Sequence, residues 1–460
     1  MLELIIIVIY FLAMVVIGVM SRKKALDADS FFVAGRKGSA LFITGSLLAT
    51  IIGGSATVGM AGLGFTRGLT GAWWLLVGTV GLIVLGLFLA RKVREYAVYT
   101  LPELAGKQYD RRVAFAASVL IVIAWVGVTA AQIIAAGKIL SILGMGSATL
   151  WMVIFTVVFV SYTALGGQHA VLRTDFLQAV VIFGGVFAGV ALLLSHVGGW
   201  QGLQAALPAD RFAFPVSSQF GGVSLLSMLL VVGLTYVVGP DMYSRLFCAR
   251  DVNTARTSTL WTALLIIPVA FAITVIGMGA AALFPQIAAE QALPMVVQQV
   301  FPTWLGAIVL AALLCAVMSS ADTTLMSAGT ILTVDILGVN RPGSKQAGVL
   351  PRSRWVIVVL GAISLAVALK LGGVISALLF AYTVYTSGVI LPVLAGFFRE
   401  KLRVTATGAL VALLGGGALG LVSKFVTVKY LDLGAILLSG VLLFLVSYLD
   451  NYRRRGRKSE

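Results

Sequence analysis

The stretch LLATIIGGSATVGMAGLGF (Leu47–Phe65) is apolar enough to lie in a membrane, yet Gly53-Gly54-Ser55 sits at its centre, with Gly59, Gly62 and Gly64 beyond. Glycine tolerates unwound backbone. A second stretch, VVGLTYVVGPDMYSRLF (Val231–Phe247), places Gly239-Pro240 inside another apolar run. Proline removes a backbone donor and interrupts a helix interior. In hydrocarbon, unwound backbone survives only where protein or a cavity surrounds it. Two broken helices in corresponding places of a membrane chain point to an inverted-repeat transporter with its site at the midplane. The plainer alternative is that these glycines serve close helix packing alone.

The rest of the chain supports the membrane reading. Of 460 residues, 60% are hydrophobic and 11% charged, against roughly 45–50% and 25% in soluble domains. Apolar runs of about 18 or more residues, each able to cross a bilayer, recur throughout. The sequence predicts an all-α polytopic protein with about thirteen spans, at roughly 2–20, 41–65, 70–90, 113–140, 148–165, 170–195, 222–246, 258–284, 304–334, 354–371, 373–397, 404–423 and 430–450. Residues 1–40 hold the first helix and its loop. A first repeat (41–197, spans 2–6) and a second (198–400, spans 7–11) form a five-plus-five core. Two more helices and a basic tail fill 401–460. The connections Gly198–Gly221 and Phe284–Thr303 have room for short surface helices.

Charge gives the orientation. Loops after the odd-numbered spans, with the C-terminal tail, hold 27 of the 33 Lys and Arg residues, and the opposite side holds 6. Basic loops stay cytoplasmic, so the N-terminus is expected outside and the C-terminus inside, as for a multi-pass protein of the cytoplasmic membrane. The same asymmetry accounts for the net charge of +16 without a nucleic-acid partner. The tail NYRRRGRKSE (Asn451–Glu460) is expected to rest on anionic lipid. The N-terminal run has no preceding basic region and no small-residue cleavage site, which argues for a retained first helix. Cys248 and Cys315 make no disulfide framework or redox pair. His169 and His196 read as interfacial, with no ligand cluster around them.

Three of the 17 acidic residues fall within spans: Asp175, Asp241 and Asp322. A charge at mid-bilayer costs roughly 2.5–3.5 kcal/mol on insertion scales, so each is a functional candidate. Asp322 sits in AVMSSADTTLMS (Ala316–Ser327), among five hydroxyls. Helical spacing strings Ala316, Ser319, Ser320, Thr323 and Ser327 along one stripe. Hard cations take oxygen ligands. A helix interior offers hydroxyls, whereas an unwound helix offers free carbonyls. The economical cation site therefore joins carbonyls near Ala49–Gly54 to Ser319 and Ser320. The competing reading is that these hydroxyls bond back to their own helix. Asp175 is either functional or an interfacial partner of Arg173. Asp241 is read as the i,i+4 partner of Arg245.

These residues resemble the sodium:solute symporters, which include the proline, sodium–glucose, sialic acid, pantothenate and choline transporters. DSFFVAGRK (Asp29–Lys37), TDFLQ (Thr174–Gln178), GPDMYSRLFCARD (Gly239–Asp251) and CAVMSSADTT (Cys315–Thr324) are similar to that family's elements and occur in its order. The resemblance covers spans 1–11. It implies the five-plus-five fold of the bacterial leucine transporter, with sodium, one ion or two, as coupling ion. It implies a main sodium site of the carbonyls of Ala49, Ile52 and Ala316 with the hydroxyls of Ser319 and Ser320. A second site would use Asp175, Ser319, Asp322 and Thr323. Aspartate at 322, where the family often has serine, sets that second site apart, because paired carboxylates raise each other's pKa.

The resemblance places substrate between the two breaks and the faces of spans 3, 4 and 11, against Gly53, Ser55, Ala56, Trp74, Leu75, Gly78, Trp125, Thr129, Gln132, Thr235, Tyr236, Tyr382 and Tyr385. These residues describe a small, aromatic, nearly uncharged pocket. Such a pocket suits a small amino acid or monocarboxylate, with free N–H groups at a broken helix to meet a carboxylate. Its aromatics also suit a quaternary amine of the choline type, and pantothenate-like uptake is a further alternative. A proton-coupled transporter or a membrane sensor on the same fold are the rival functions. An intramembrane enzyme would need a nucleophile–base pair or metal cluster that the chain does not offer. A lipid bilayer and a small-molecule substrate are the only partners required, and a monomer suffices.

Overall fold

The structure, a computed structural model, describes residues 2–22, 27–338, 349–371, 373–426 and 430–459. Ten of its helices are long and apolar enough to cross a membrane, and Ala40–Ile51 and Ala406–Val422 are shorter apolar helices. The division into thirteen spans is not reproduced one for one. Expected spans 5 and 6 share the helix Ala148–His196, and the second half of expected span 2 runs on with span 3 through Ser55–Glu95. Gly167 divides Ala148–His196, with φ 55° and ψ −153°. A Cβ there would also lie 2.7 Å from the Phe31 ring, so both conformation and space select glycine.

Both predicted breaks are present. The helix Ala40–Ile51 ends where Ile52 leaves helical geometry (φ −85°, ψ 67°). After Gly53 and Gly54 the chain resumes as a wide turn, Ser55–Gly59, and the helix Met60–Arg67. In the second stretch, Leu234–Val237 ends at Val238 (φ −130°, ψ 92°), and Pro240 opens the half-helix Pro240–Cys248. Proline fits there because the first helical N–H has no intrahelical acceptor. Ile52 and Val238 are fully buried, so the unwound backbone is enclosed by protein.

Burial orders the helices from centre to rim. The segment Thr303–Ile336 is 83% buried across its most apolar window, whereas Leu4–Arg22 and Leu431–Arg454 are 28% buried. The rim helices turn Ile9, Leu12 and Met20, and Leu437 and Val441, outward. Exposed apolar faces of this kind are suited to lipid. The connections beyond expected spans 6 and 8 hold short helices, Gly199–Ala206 and Ala292–Gln299.

The ends of the molecule are tied differently. On the basic side, Gly38 donates its N–H to Cys248 O (2.9 Å) and accepts from the Arg250 N–H (2.9 Å). Arg94 adds a bond to Ala249 O (2.7 Å). Thus the Asp29–Lys37 and Gly239–Asp251 elements, far apart in sequence, meet through the adjoining Gly38. At the opposite end, Lys138 pairs with Glu290, both partly exposed.

Close approach of helices depends on small residues. A Cβ at Gly277, in the helix Val252–Leu283, would fall 2.0 Å from Ala61 O, on backbone that cannot yield. Gly277→Val is expected to cost about 1–3 kcal/mol and to lower the unfolding temperature in detergent. Gly184→Val, which meets nothing within 4 Å, should leave it unchanged.

Candidate functional site

The site begins with two helix faces. Ser319, Ser320, Thr323 and Thr324 lie buried on the helix Thr303–Ile331. The helix Ala40–Ile51 stops beside them, and the last carbonyls of a helix have no partner within it. The Ser319 hydroxyl donates to Ala49 O (2.7 Å) and lies 3.0 Å from Ala316 O. Ser320 donates to Thr50 O (2.6 Å) and lies 3.2 Å from Ala316 O. Five oxygens therefore converge, from Ala49, Thr50, Ala316, Ser319 and Ser320. Four belong to the predicted set. Ile52, the fifth predicted member, sits in the break itself, and Thr50 belongs to the Ala49–Gly54 stretch expected to supply carbonyls, though it is not one of the five residues named. A hydroxyl that donates here keeps lone pairs and can turn its proton away, so this set fits a hard cation.

The neighbouring cluster differs from expectation. Arg245 is fully buried and forms an ion pair with Asp175 (3.0 Å), itself fully buried. Its guanidinium also donates to Ser46 Oγ (3.0 Å), Ser244 Oγ (3.0 Å) and the Thr323 hydroxyl. Ser46 donates to the same Asp175 oxygen (2.5 Å). Two readings are corrected. Arg245 bonds Asp175 rather than Asp241, because its long side chain turns inward to a buried carboxylate flanked by the hydroxyls of Ser46, Ser244 and Thr323. Asp175 is no interfacial partner of Arg173, which is exposed while Asp175 is enclosed. Asp322 accepts from Tyr162 (2.5 Å) and lies 3.3 Å from the Thr323 hydroxyl. Asp175, Thr323 and Ser319 thus do gather, but a protein-borne cation already stands among them.

Between the breaks lies a cavity of about 30 Å³, room for about one water. Of the predicted substrate residues, Gly53, Ser55, Trp125, Gln132, Thr235, Tyr236 and Tyr382 line it. The others stand behind that wall. Tyr385 packs edge-on against Trp125 (4.8 Å between centroids) and donates to Val238 O (2.6 Å). Thr129 bonds Trp125 O and lies 2.9 Å from the Thr324 hydroxyl. Gly78 makes room for the Tyr236 ring, 2.9 Å from where its Cβ would be. Ala56, Trp74 and Leu75 are buried in the packing. Gln132 accepts the Gly54 N–H (2.7 Å), the donor freed at the first break. The sequence reading missed Thr50, Ile51, Val128, Asp241, Met242 and Thr324 as lining residues. Asp241 carried a signal, since it follows Gly239-Pro240, the second break, directly.

The model of the family described as "Sodium:solute symporter family" matches residues 31–416. The chain belongs to the sodium:solute symporter family. Among its relatives, this symporter is 25% identical to a sodium/glucose cotransporter of Vibrio parahaemolyticus, over 87% of this chain and 80% of that one. It is also 25% identical to an osmoregulated proline transporter of Bacillus subtilis, over 89% and 86%. Its fold is that of a sodium-coupled sialic acid symporter in a substrate-bound outward-open state (TM-score 0.83, 17% identity, 98% of both chains). It also matches Mhp1, a nucleobase-cation-symport transporter in a closed conformation (TM-score 0.64, 14% identity, 91% and 92%). These agreements bear out the five-plus-five fold with two broken helices.

Removing one partner of a buried ion pair leaves an uncompensated charge and costs about 3–5 kcal/mol. Arg245→Ala in this symporter should therefore unfold far more readily in detergent. Adding Asp175→Asn to it should restore much of the loss in the same melting measurement.

Proposed function

We propose that this protein imports a small organic solute together with sodium, by alternating access across the cytoplasmic membrane. The observation that carries the reading is the convergence of carbonyls freed at the first break with the Ser319 and Ser320 hydroxyls. An ion there joins the first broken helix to the helix Thr303–Ile331. Ser320 and Thr50 both belong to the ion set and line the solute cavity. Ion binding therefore shapes the wall that solute meets. Coupling follows because sodium shifts the equilibrium only by its differential affinity for the two states. The inward field assists, at about 2.3 kcal/mol per charge per 100 mV.

In this reading the main sodium takes Ala49, Ile52, Ala316, Ser319 and Ser320, with Thr50 added. One sodium moves per solute, because the Arg245 guanidinium stands with Asp175 and Thr323 where a second ion would bind. The N-terminus lies outside and the basic tail inside. The two repeats are 41–197 and 198–400, flanked by 1–40 and 401–460. Tyr236 and Tyr382 close on the solute, and Trp125 and Gln132 form the facing wall.

The purified protein should melt at a higher temperature in sodium than in potassium salt at matched ionic strength. Hydrogen bonds to a charged group contribute about 1.5–3 kcal/mol, so Ser319→Ala with Ser320→Ala should raise the sodium needed for half-maximal transport at least about tenfold. Unchanged sodium dependence would remove these serines from the site. An acceleration by protons alone would move the coupling to Asp322.

Paired isotope fluxes in proteoliposomes should give one sodium per solute, and Asp322→Asn should leave that ratio unchanged. A ratio of two that falls to one in the variant would place an ion beside Asp322 and dislodge Arg245 from its role.

A further inference from the structure

The central cavity holds one charge that the proposed function does not use. Asp241 stands on its wall, half-buried, in the first turn of the half-helix Pro240–Cys248. No Arg, Lys or His is among the described residues that line the cavity. The cation one turn on, Arg245, is committed elsewhere, to Asp175, Ser46, Ser244 and Thr323. The cavity therefore presents a carboxylate to which no cation among the described residues is bonded, and an ionised group of this kind is costly inside a membrane without a counter-ion.

The rest of the wall suits an organic cation. Tyr236, Tyr382 and Trp125 line the cavity, and aromatic rings attract alkylammonium groups. The Trp125 indole N–H is buried without a hydrogen-bond partner among the described residues. It is a donor waiting for an acceptor on the solute, at the same cavity as the Asp241 acceptor. A bare sodium ion would want several oxygens in place of the aromatic rings.

We infer that the solute carries a positively charged nitrogen, and that Asp241 is its counter-ion and a determinant of substrate choice. This rests on the symporter reading for the solute's entry into the cavity, and it narrows that reading. It disfavours simple monocarboxylates, which Asp241 repels, and uncharged sugars, which leave it unpaired. Amino acids, through their ammonium group, and quaternary amines both remain in the class. The cavity's small volume means that the walls open around such a solute before closing on it.

The test is a melting measurement on the purified full chain with matched probes, in sodium and again in potassium. Choline is compared with 3,3-dimethylbutanol, its uncharged isostere, and alanine with propionate, which lacks the nitrogen. The expected result is stabilisation by a nitrogen-bearing probe, with no comparable shift from its partner. Asp241→Asn should weaken that probe's apparent affinity roughly tenfold or more, and Asp241→Glu should keep the preference for nitrogen. Should Asp241→Asn fail to fold, the wild-type comparison and Asp241→Glu still decide. Equal shifts from both members of each pair, no nitrogen-specific shift at all, or an Asp241→Asn variant with unchanged preference would overturn the inference. So would a variant that alters only the sodium requirement, for Asp241 would then be an ion ligand. A nitrogen-specific shift that is lost in Asp241→Asn yet is identical in sodium and potassium would leave this inference standing and sink the sodium coupling.

Discussion

Everything in the core depends on what becomes of the backbone groups released where two helices stop inside the membrane region. At the first break, Ala49 and Thr50 carbonyls are taken by Ser319 and Ser320, and the Gly54 N–H by Gln132. At the second, Val238 O is taken by Tyr385, and Val231 O, in the wide turn before it, by Thr386. Unsatisfied, each group would cost several kcal/mol in hydrocarbon. The helices that supply these side chains are thereby fixed against the breaks. The same polar groups make the oxygen set and the cavity, so the solution to a folding problem also builds the site.

That dual use explains why hydroxyls cluster on the most buried helix of the molecule. Thr323 shows the economy. Its hydroxyl donates to Ser319 O (2.6 Å), lies 3.1 Å from the Thr50 hydroxyl and receives Arg245. One side chain links the oxygen set to the buried ion pair. A change at either cluster is therefore felt by the other, and substitutions there are non-additive because they share partners.

Much of this was legible in the sequence because the signals were local. Gly53-Gly54 and Gly239-Pro240 have few roles inside apolar runs, and both breaks fall where they stand. The serine pair, with its acidic neighbour, was too polar for packing alone. What could not be read was tertiary. Arg245 was assigned to Asp241 by helical spacing, yet an arginine reaches far enough to choose a partner on another helix. An interfacial role for Asp175 stayed open in the sequence because Arg173 lies two residues away, although the structure leaves Arg173 exposed and Asp175 buried. Thr50 fell within the Ala49–Gly54 stretch but was not singled out, because a carbonyl ligand has no side-chain signature. Tyr385 and Thr129 were placed on the right helices but one layer behind the cavity, since sequence fixes a helical face only to within about a residue. The span boundaries blurred where the tight turn Gly68–Ala72 and the kink at Gly167 let one helix run into the next.

The two ends of the molecule are closed by bonds of different kinds. The tie at Gly38 is between backbone groups, which no substitution of Cys248 or Arg250 that keeps the main chain can delete, and which dissolved salt barely touches. The Lys138–Glu290 tie joins two partly exposed charges, and such a pair weakens as ionic strength rises. Brine and fresh water thus act more on the Lys138–Glu290 tie than on the backbone bonds at Gly38.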